Sequence, residues 1–306
     1  MRRPTVFDFA LLVVLGAIWG SAFLSIKVAV GGVTPFTLAA TRVVIAAAAM
    51  LLYLALVGRR LPSLRGGEAG SVWPLAMATA VLNTAVPFVL ISWGQQYIDS
   101  SLAAILMGAG PLMALVLGHA FTHDERATVP KVVGLALGFA GVLTVIGVDA
   151  LGGLGSNVLG QLAVVAASFR YVTSGLLSRR LTARLPSDVS ATAVLCGGVV
   201  LTVPLALLFE RPWALAPSGL ELGAVVYLGL VATALASLVR YRIIANCGFS
   251  FMSQVSYLIP VFGALFGWLL LGETLTAAAL IALAMILVGI NLTRLDPARL
   301  VSQLRG

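Results

Sequence analysis

The chain has 306 residues, 60% of them hydrophobic and only 10% charged, with a mean hydropathy of +1.07 and a formal net charge of +8. Soluble domains carry about 25% charged residues, so a length that would suit two soluble domains is read here as one polytopic membrane domain of two halves. The basic residues form no Lys/Arg stripe with interleaved aromatics of the kind that binds nucleic acid, and the two cysteines, Cys196 and Cys247, are too few for a disulfide framework or a zinc site.

Arg2 and Arg3 precede an apolar run that continues through Trp19 past Phe23 without a small-residue cleavage site. It is read as a retained first span, not a signal peptide. A span needs about 20 mostly apolar residues, and ten are expected: 8–28, 36–57, 73–93, 101–121, 132–149, 157–178, 189–209, 220–240, 250–271 and 276–294. The longest loop is 58–72, too short for a soluble domain. The stretch Gly152-Gly153-Leu154-Gly155-Ser156 reads as a flexible linker, dividing a first five-helix repeat, 1–150, from a second, 151–306.

Basic residues set the orientation. With the N-terminus in the cytoplasm, fifteen of the nineteen Lys and Arg, Arg59, Arg240 and Arg242 among them, fall on the inner side and one, Arg211, on the outer. Lys27, Arg42 and Arg170 fall inside spans. The expectation is a multi-pass protein of the cell (inner) membrane with both termini cytoplasmic, and the basic excess is explained by membrane insertion.

The halves echo each other. Pro111, Gly118, Glu125 and Gly141 match Pro260, Gly267, Glu273 and Gly289, at an offset of 149 for the first two pairs and 148 for the others. Five spans per copy is an odd number, which places the copies in opposite orientations. Inverted repeats of this kind build one site that opens alternately to either side.

Trp19-Gly20-Ser21-Ala22-Phe23, Thr41-Arg42, Pro87-Phe88, and Ser101-Leu102-Ala103-Ala104 followed by Pro111-Leu112 and Glu125-Arg126 resemble the drug/metabolite transporter superfamily, in particular its EamA-type exporters. The resemblance runs over nearly the whole chain. It implies an all-α fold of ten transmembrane helices in two inverted five-helix repeats, a central cavity, and export of small metabolites, often amino acids; the aromatic amino acid exporters look closest in length and topology. Lipid-carrier flippases and nucleotide-sugar carriers of the same superfamily are the alternative, one that needs more cationic groups in the cavity. The chain departs from the family at Ser168-Phe169-Arg170-Tyr171, where a Ser-Trp or Ser-Tyr pair is common.

Six residues are candidates for substrate binding. A charged group at membrane depth costs about 3 kcal/mol on insertion scales. Arg42, about two turns into span two, therefore either meets a substrate carboxylate or broken-helix carbonyls, or snorkels and staples two helices. Arg170 either lines the cavity or anchors span six; Lys27 snorkels near the outer end of span one. Trp19 lies mid-span, away from the interfacial aromatic belts; its indole either walls the cavity and meets an ammonium or packs between helices. Asn83 lies beside the carbonyl that Pro87 frees one turn earlier, and such groups need protein or cavity water in lipid. Gln254 and Tyr257 share a face just before Pro260, with Met107 before Pro111 in the matching span. These polar groups also serve as interhelical glue. The GxxxG spacings Gly134/Gly138 and Gly263/Gly267 read as packing faces.

No carboxylate falls deep in a span, whereas proton-coupled pumps usually bury one; gradient-driven export follows as the expected mechanism. No phosphate-binding G-x-x-x-x-G-K-[ST] loop is present. His119 and His123 beside Asp124 and Glu125 lack a third-ligand spacing and read as interfacial. No cofactor and no metal is expected. The partners expected are a small-molecule substrate and membrane lipids, and an intramembrane enzyme is disfavoured because no nucleophile lies near a base.

Overall fold

A computed structural model describes residues 4–63, 69–110, 129–150 and 155–294. The described chain is helical: α1 (Val6–Ala29), α2 (Pro35–Leu56), α3 (Ala69–Ala80), α4 (Val86–Gly94), α5 (Ser100–Met107), α6 (Val129–Ala150), α7 (Ser156–Thr182), α8 (Ser187–Phe209), α9 (Gly219–Gly229), α10 (Ala236–Cys247), the short α11 (Phe249–Met252), α12 (Val255–Leu271) and α13 (Ala277–Arg294). Two π-helical turns, Val81–Ala85 and Leu230–Leu235, join α3 to α4 and α9 to α10 into continuous spans. Five helical segments are long and apolar enough to cross a membrane: Val6–Ala29, Pro35–Leu56, Val72–Gly94, Ser187–Phe209 and Gly219–Cys247; Val132–Val145, Val255–Leu271 and Ala277–Leu292 are shorter and apolar. This is an all-α polytopic membrane protein.

Local chemistry sets the helix ends. Pro35 opens α2, where its fixed φ and missing N–H cost nothing. Ser218 and Glu221 form a reciprocal capping box on α9, with the Ser218 amide 2.6 Å from the Glu221 carboxylate. Gly272, at φ +65, closes α12 in the left-handed conformation.

The helices pair across the two halves: α1 packs on α12, α2 on α8, α4 on α7, α5 on α12 and α6 on α13. Small residues set the distances. A Cβ on Gly20 would stand 2.5 Å from Phe262 Cβ, and one on Gly263 would collide with Ala104. Gly134 and Gly138 receive Gly289 so closely that a Cβ there would stand 2.5 Å from the Gly134 carbonyl, so that GxxxG face packs as its spacing predicts. The central core gathers Phe23, Ile26, Leu38, Ile105, Val164, Leu228 and Ile286.

Charged groups tie helices of different halves at both ends of the bundle. At the end where α1 finishes, Glu210 accepts from the Phe36 amide at 3.1 Å and from the Thr37 amide and hydroxyl, each at 2.7 Å, and so caps α2. Glu273 likewise accepts from the Ser100 and Ser101 amides, each at 2.8 Å, and caps α5. Burial alone would raise the Glu273 carboxyl, but hydrogen bonds from Ser101 and Ser100 outweigh it and hold the group below its ordinary 4.5. Lys27 donates to the Gln95 and Ile98 carbonyls at 3.0 and 2.8 Å. It caps α4 where snorkelling was expected. At the opposite end the Arg59 guanidinium holds both Asp188 oxygens at 2.5 and 2.6 Å.

Four expectations change. Span eight runs Gly219–Cys247 and encloses Arg240, which the sequence places at the inner end of a span over 220–240. Span nine is broken: Ser253 and Gln254 form a turn between α11 and α12. Span three is interrupted by a π-turn at Asn83. In span four α5 ends at Met107, with a turn at Gly108 and Ala109. Pro111, Gly118, His119, His123, Asp124 and Glu125 lie outside the described residues, as does most of the linker, apart from Gly155 and Ser156, which start α7.

Two outcomes check this architecture. Gly20→Val overpacks the α1–α12 crossing and is expected to lower stability by about 1–3 kcal/mol in thermal unfolding of the detergent-solubilised protein, whereas Gly219→Ala, with nothing within 4 Å of the added methyl, leaves it unchanged. The Glu273 carboxyl is lowered in the folded state, so its stabilisation is present at neutral pH and is lost as pH falls from 4.5 through the folded value. The thermal-stability gap between the native chain and Glu273→Gln is therefore expected to close over that acid range.

Candidate functional site

The two π-turns occupy the same place in each half. Thr84 plus 149 is Thr233, the offset that relates Pro111 to Pro260. A π-turn carries an extra residue and disturbs the i→i−4 ladder, and in lipid the loosened carbonyls need donors. The two threonines supply them: Thr84 donates to the Ala80 carbonyl at 2.6 Å and Thr233 to the Leu228 carbonyl at 2.7 Å.

Each π-turn is met by an arginine from the other half. Arg42, on α2, donates through Nε to the Thr233 hydroxyl at 2.7 Å, and its guanidinium lies 3.9 Å over the Phe88 ring. Thr233 thus uses its hydroxyl both ways, as donor to Leu228 and as acceptor from Arg42. Arg240, on α10, donates through Nη1 to Asn83 Oδ1 at 3.1 Å, and the Ser174 hydroxyl donates to the same oxygen at 3.2 Å. Arg42 is 6% exposed and Arg240 8%. The Arg240 guanidinium lies 5.5 Å from the centre of the Tyr241 ring, and Tyr241 and Phe88 belong to one cluster against which Tyr171 of α7 packs. Tyr171 packs against both the central core and the neighbouring cluster of Ala39, Val43, Phe88 and Tyr241, so it lies where they meet.

The structure gathers the expected residues unevenly. Arg42 and Asn83 belong to this network. Trp19 packs on a third cluster, with Leu12, Leu15, Ala236, Ile243 and Val255; Ala236 lies one turn before Arg240. Gln254 caps α12 next to Val255, and Tyr257 packs on the central core. Arg170 is exposed. It continues the stripe Leu159, Leu162, Ala166 at i+3 and i+4 spacing, whose leucines are also exposed. That stripe faces away from the network, and the next residue, Tyr171, turns into it.

Sequence reasoning missed Arg240, Thr233, Tyr171 and Ser174, and the contact of the Ser21 and Tyr227 hydroxyls at 2.6 Å between α1 and α9. The 149 offset would have led from Asn83-Thr84 to Ala232-Thr233. Among the described residues, no group of three or more His, Cys, Asp or Glu has metal-site geometry.

Five apolar spans and three shorter apolar helices among the described residues, paired across the two halves with a polar network where the halves meet, define an α-helical polytopic membrane protein. The chain belongs to the EamA-like transporter family, whose model matches residues 9–147 and again 158–295, one copy per half. It is 29% identical over 290 residues to the "uncharacterized inner membrane transporter YedA" of Escherichia coli K12, covering 94% of this chain and 90% of that one. It is 25% identical over 283 residues to the "probable terminal-alkyne amino-acid exporter" of Streptantibioticus cattleyicolor, covering 92% of this chain and 91% of that one. A solved structure titled "Crystal structure of protein" shares the fold, with a TM-score of 0.67 at 24% identity over 99% of this chain and all of that one.

The network predicts non-additive energetics. Asn83→Leu strands the Arg240 guanidinium and is expected to cost about 1–3 kcal/mol of stability. Adding Arg240→Met removes the stranded charge and is expected to recover most of that loss in the same thermal unfolding measurement.

Proposed function

We propose that this chain exports small metabolites, amino acids foremost, by alternating access through a cavity where the two halves meet. On this reading the halves are five-helix repeats, 1–150 and 151–306, inverted with respect to each other in the inner membrane, with both termini cytoplasmic. The observation that carries the reading is the crossed pairing at the π-turns: each half lends a buried arginine to the mid-span break of the other. Irregular backbone at membrane depth persists where it is buried in protein or lines a cavity, and broken helices at the repeat interface are where secondary transporters hold their cargo. The exporter name carried by the Streptantibioticus relative supports amino acids as the first class to try.

Arg42 and Asn83 form the polar floor in this proposal, Trp19 and Tyr257 the aromatic walls, and Gln254 the hinge between α11 and α12. Arg170 serves at the lipid-facing surface. Among the described residues the carboxylates lie at or near helix ends: Asp8 in the first turn of α1, Asp188 in that of α8, Glu221 in that of α9, Asp99 before α5, Glu210 after α8, Glu273 after α12 and Asp149 in the last turn of α6. With no mid-span acid among these described carboxylates to carry a proton, the cargo's own gradient drives export.

The test is counterflow in proteoliposomes with labelled amino acids, with and without a pH gradient. Exchange that ignores the pH gradient is expected. Trp19→Ala is expected to slow exchange at least about tenfold, a transition-state loss near 1.4 kcal/mol. Exchange strictly dependent on the gradient would contradict the mechanism.

A further inference from the structure

Among the described residues neither arginine of the network is paired with a carboxylate. Arg42 bonds a threonine hydroxyl and lies on a phenyl ring; Arg240 bonds an amide oxygen. Arg240 Nε is buried and makes no hydrogen bond. Asp188 is engaged by Arg59 at one end of the bundle. Glu210 and Glu273 are engaged as helix caps at the other end.

Two cations in an apolar interior repel each other, and each is costly to insert. Hydroxyl and amide oxygens satisfy donors without cancelling charge. The guanidinium fork matches a carboxylate or a phosphate through paired N–H groups, and the unused Arg240 Nε is such a donor. One π-face beside them, that of Phe88, is already covered by Arg42, so a substrate ammonium gains nothing there. Tyr171 packs on the cluster that holds Phe88 and Tyr241, the two rings beside the guanidiniums, and its phenolic O–H donates to an oxyanion as readily as it accepts.

We propose that the cargo is a small organic anion of net negative charge whose oxyanion, a carboxylate or a phosphate, bridges Arg42 and Arg240 beside Tyr171. This rests on the exporter reading above and narrows it: among amino acids the acidic ones fit, with their ammonium left to Trp19. The neutral amino acids lack the second negative charge that the paired arginines call for.

The experiment uses the full chain in proteoliposomes, with counterflow of four labelled probes: a neutral aromatic amino acid, glutamate, succinate and a sugar phosphate. The anionic probes are expected to exchange at least about tenfold faster than the neutral one, the equivalent of about 1.4 kcal/mol. A preference between succinate and the sugar phosphate tells carboxylate from phosphate. Arg240→Gln is expected to abolish the anion preference, and Arg240→Lys to keep part of it, since the charge remains without the fork. In the native chain alone, an inside-positive potential is expected to speed succinate or sugar phosphate uptake, a readout independent of any variant's folding. Faster exchange of the neutral amino acid, with no effect of potential on the anions, overturns the proposal and leaves the exporter reading standing. Exchange of none of the four overturns both.

Discussion

The structure depends on two positive charges held in an apolar interior by groups of the opposite half. Arg42 reaches from α2 to the π-turn that joins α9 to α10, and Arg240 reaches from α10 to the π-turn that joins α3 to α4. Neither bond is local: they span 191 and 157 residues of sequence. A guanidinium inside a membrane protein is costly unless donors such as these are answered, so the two bonds tie the register of the halves as well as their contact. The apolar packing around them is permissive by comparison, since lipid is as apolar as leucine and gives helices little reason to choose one neighbour over another.

The bonds at the bundle ends differ in kind. Glu210 and Glu273 cap helix N-termini, where backbone N–H groups and the helix dipole favour an anion, and both reach from the second half to the first. Arg59 meets both oxygens of Asp188 through one nitrogen, Nη1, in an ion pair with one exposed member. A rocking of one half against the other, as proposed, has to loosen one set while keeping the other, and the central pair of arginines lies between them. Substrate charge at the centre and contact at the ends are then linked by geometry: whatever draws Arg42 and Arg240 together acts on both halves at once. Population shift in a transporter needs such a differential contact between its states.

Much of the fold was legible in the sequence because lipid imposes a simple rule. A span must be long and apolar, and Val6–Ala29, Pro35–Leu56 and Ser187–Phe209 follow the expected segments to within about two residues. The repeat was legible because Pro, Gly and Glu recur at offsets of 149 and 148. The site was legible only in part. Arg42 and Asn83 stand out as polar groups within apolar runs. Arg240 does not, because its span was ended at the first charge, although Tyr241, Ile243 and Ile244 carry the helix on for another two turns. Arg170 attracted notice for its charge, and yet one residue of helix, about 100° of rotation, separates the exposed guanidinium from Tyr171. No periodicity read from composition resolves that rotation until neighbouring helices are placed. The π-turns were hidden for a similar reason: they leave hydropathy unchanged and appear only in the backbone.

The most direct measurement is a density map of the chain determined with a saturating small organic anion. The account places that density between the Arg42 and Arg240 guanidiniums, against the Tyr171 ring and within reach of both π-turns. Density elsewhere, on the exposed face that carries Arg170 or at the bundle ends beside Glu210 and Glu273, with the two arginines unmoved and uncontacted, would contradict it.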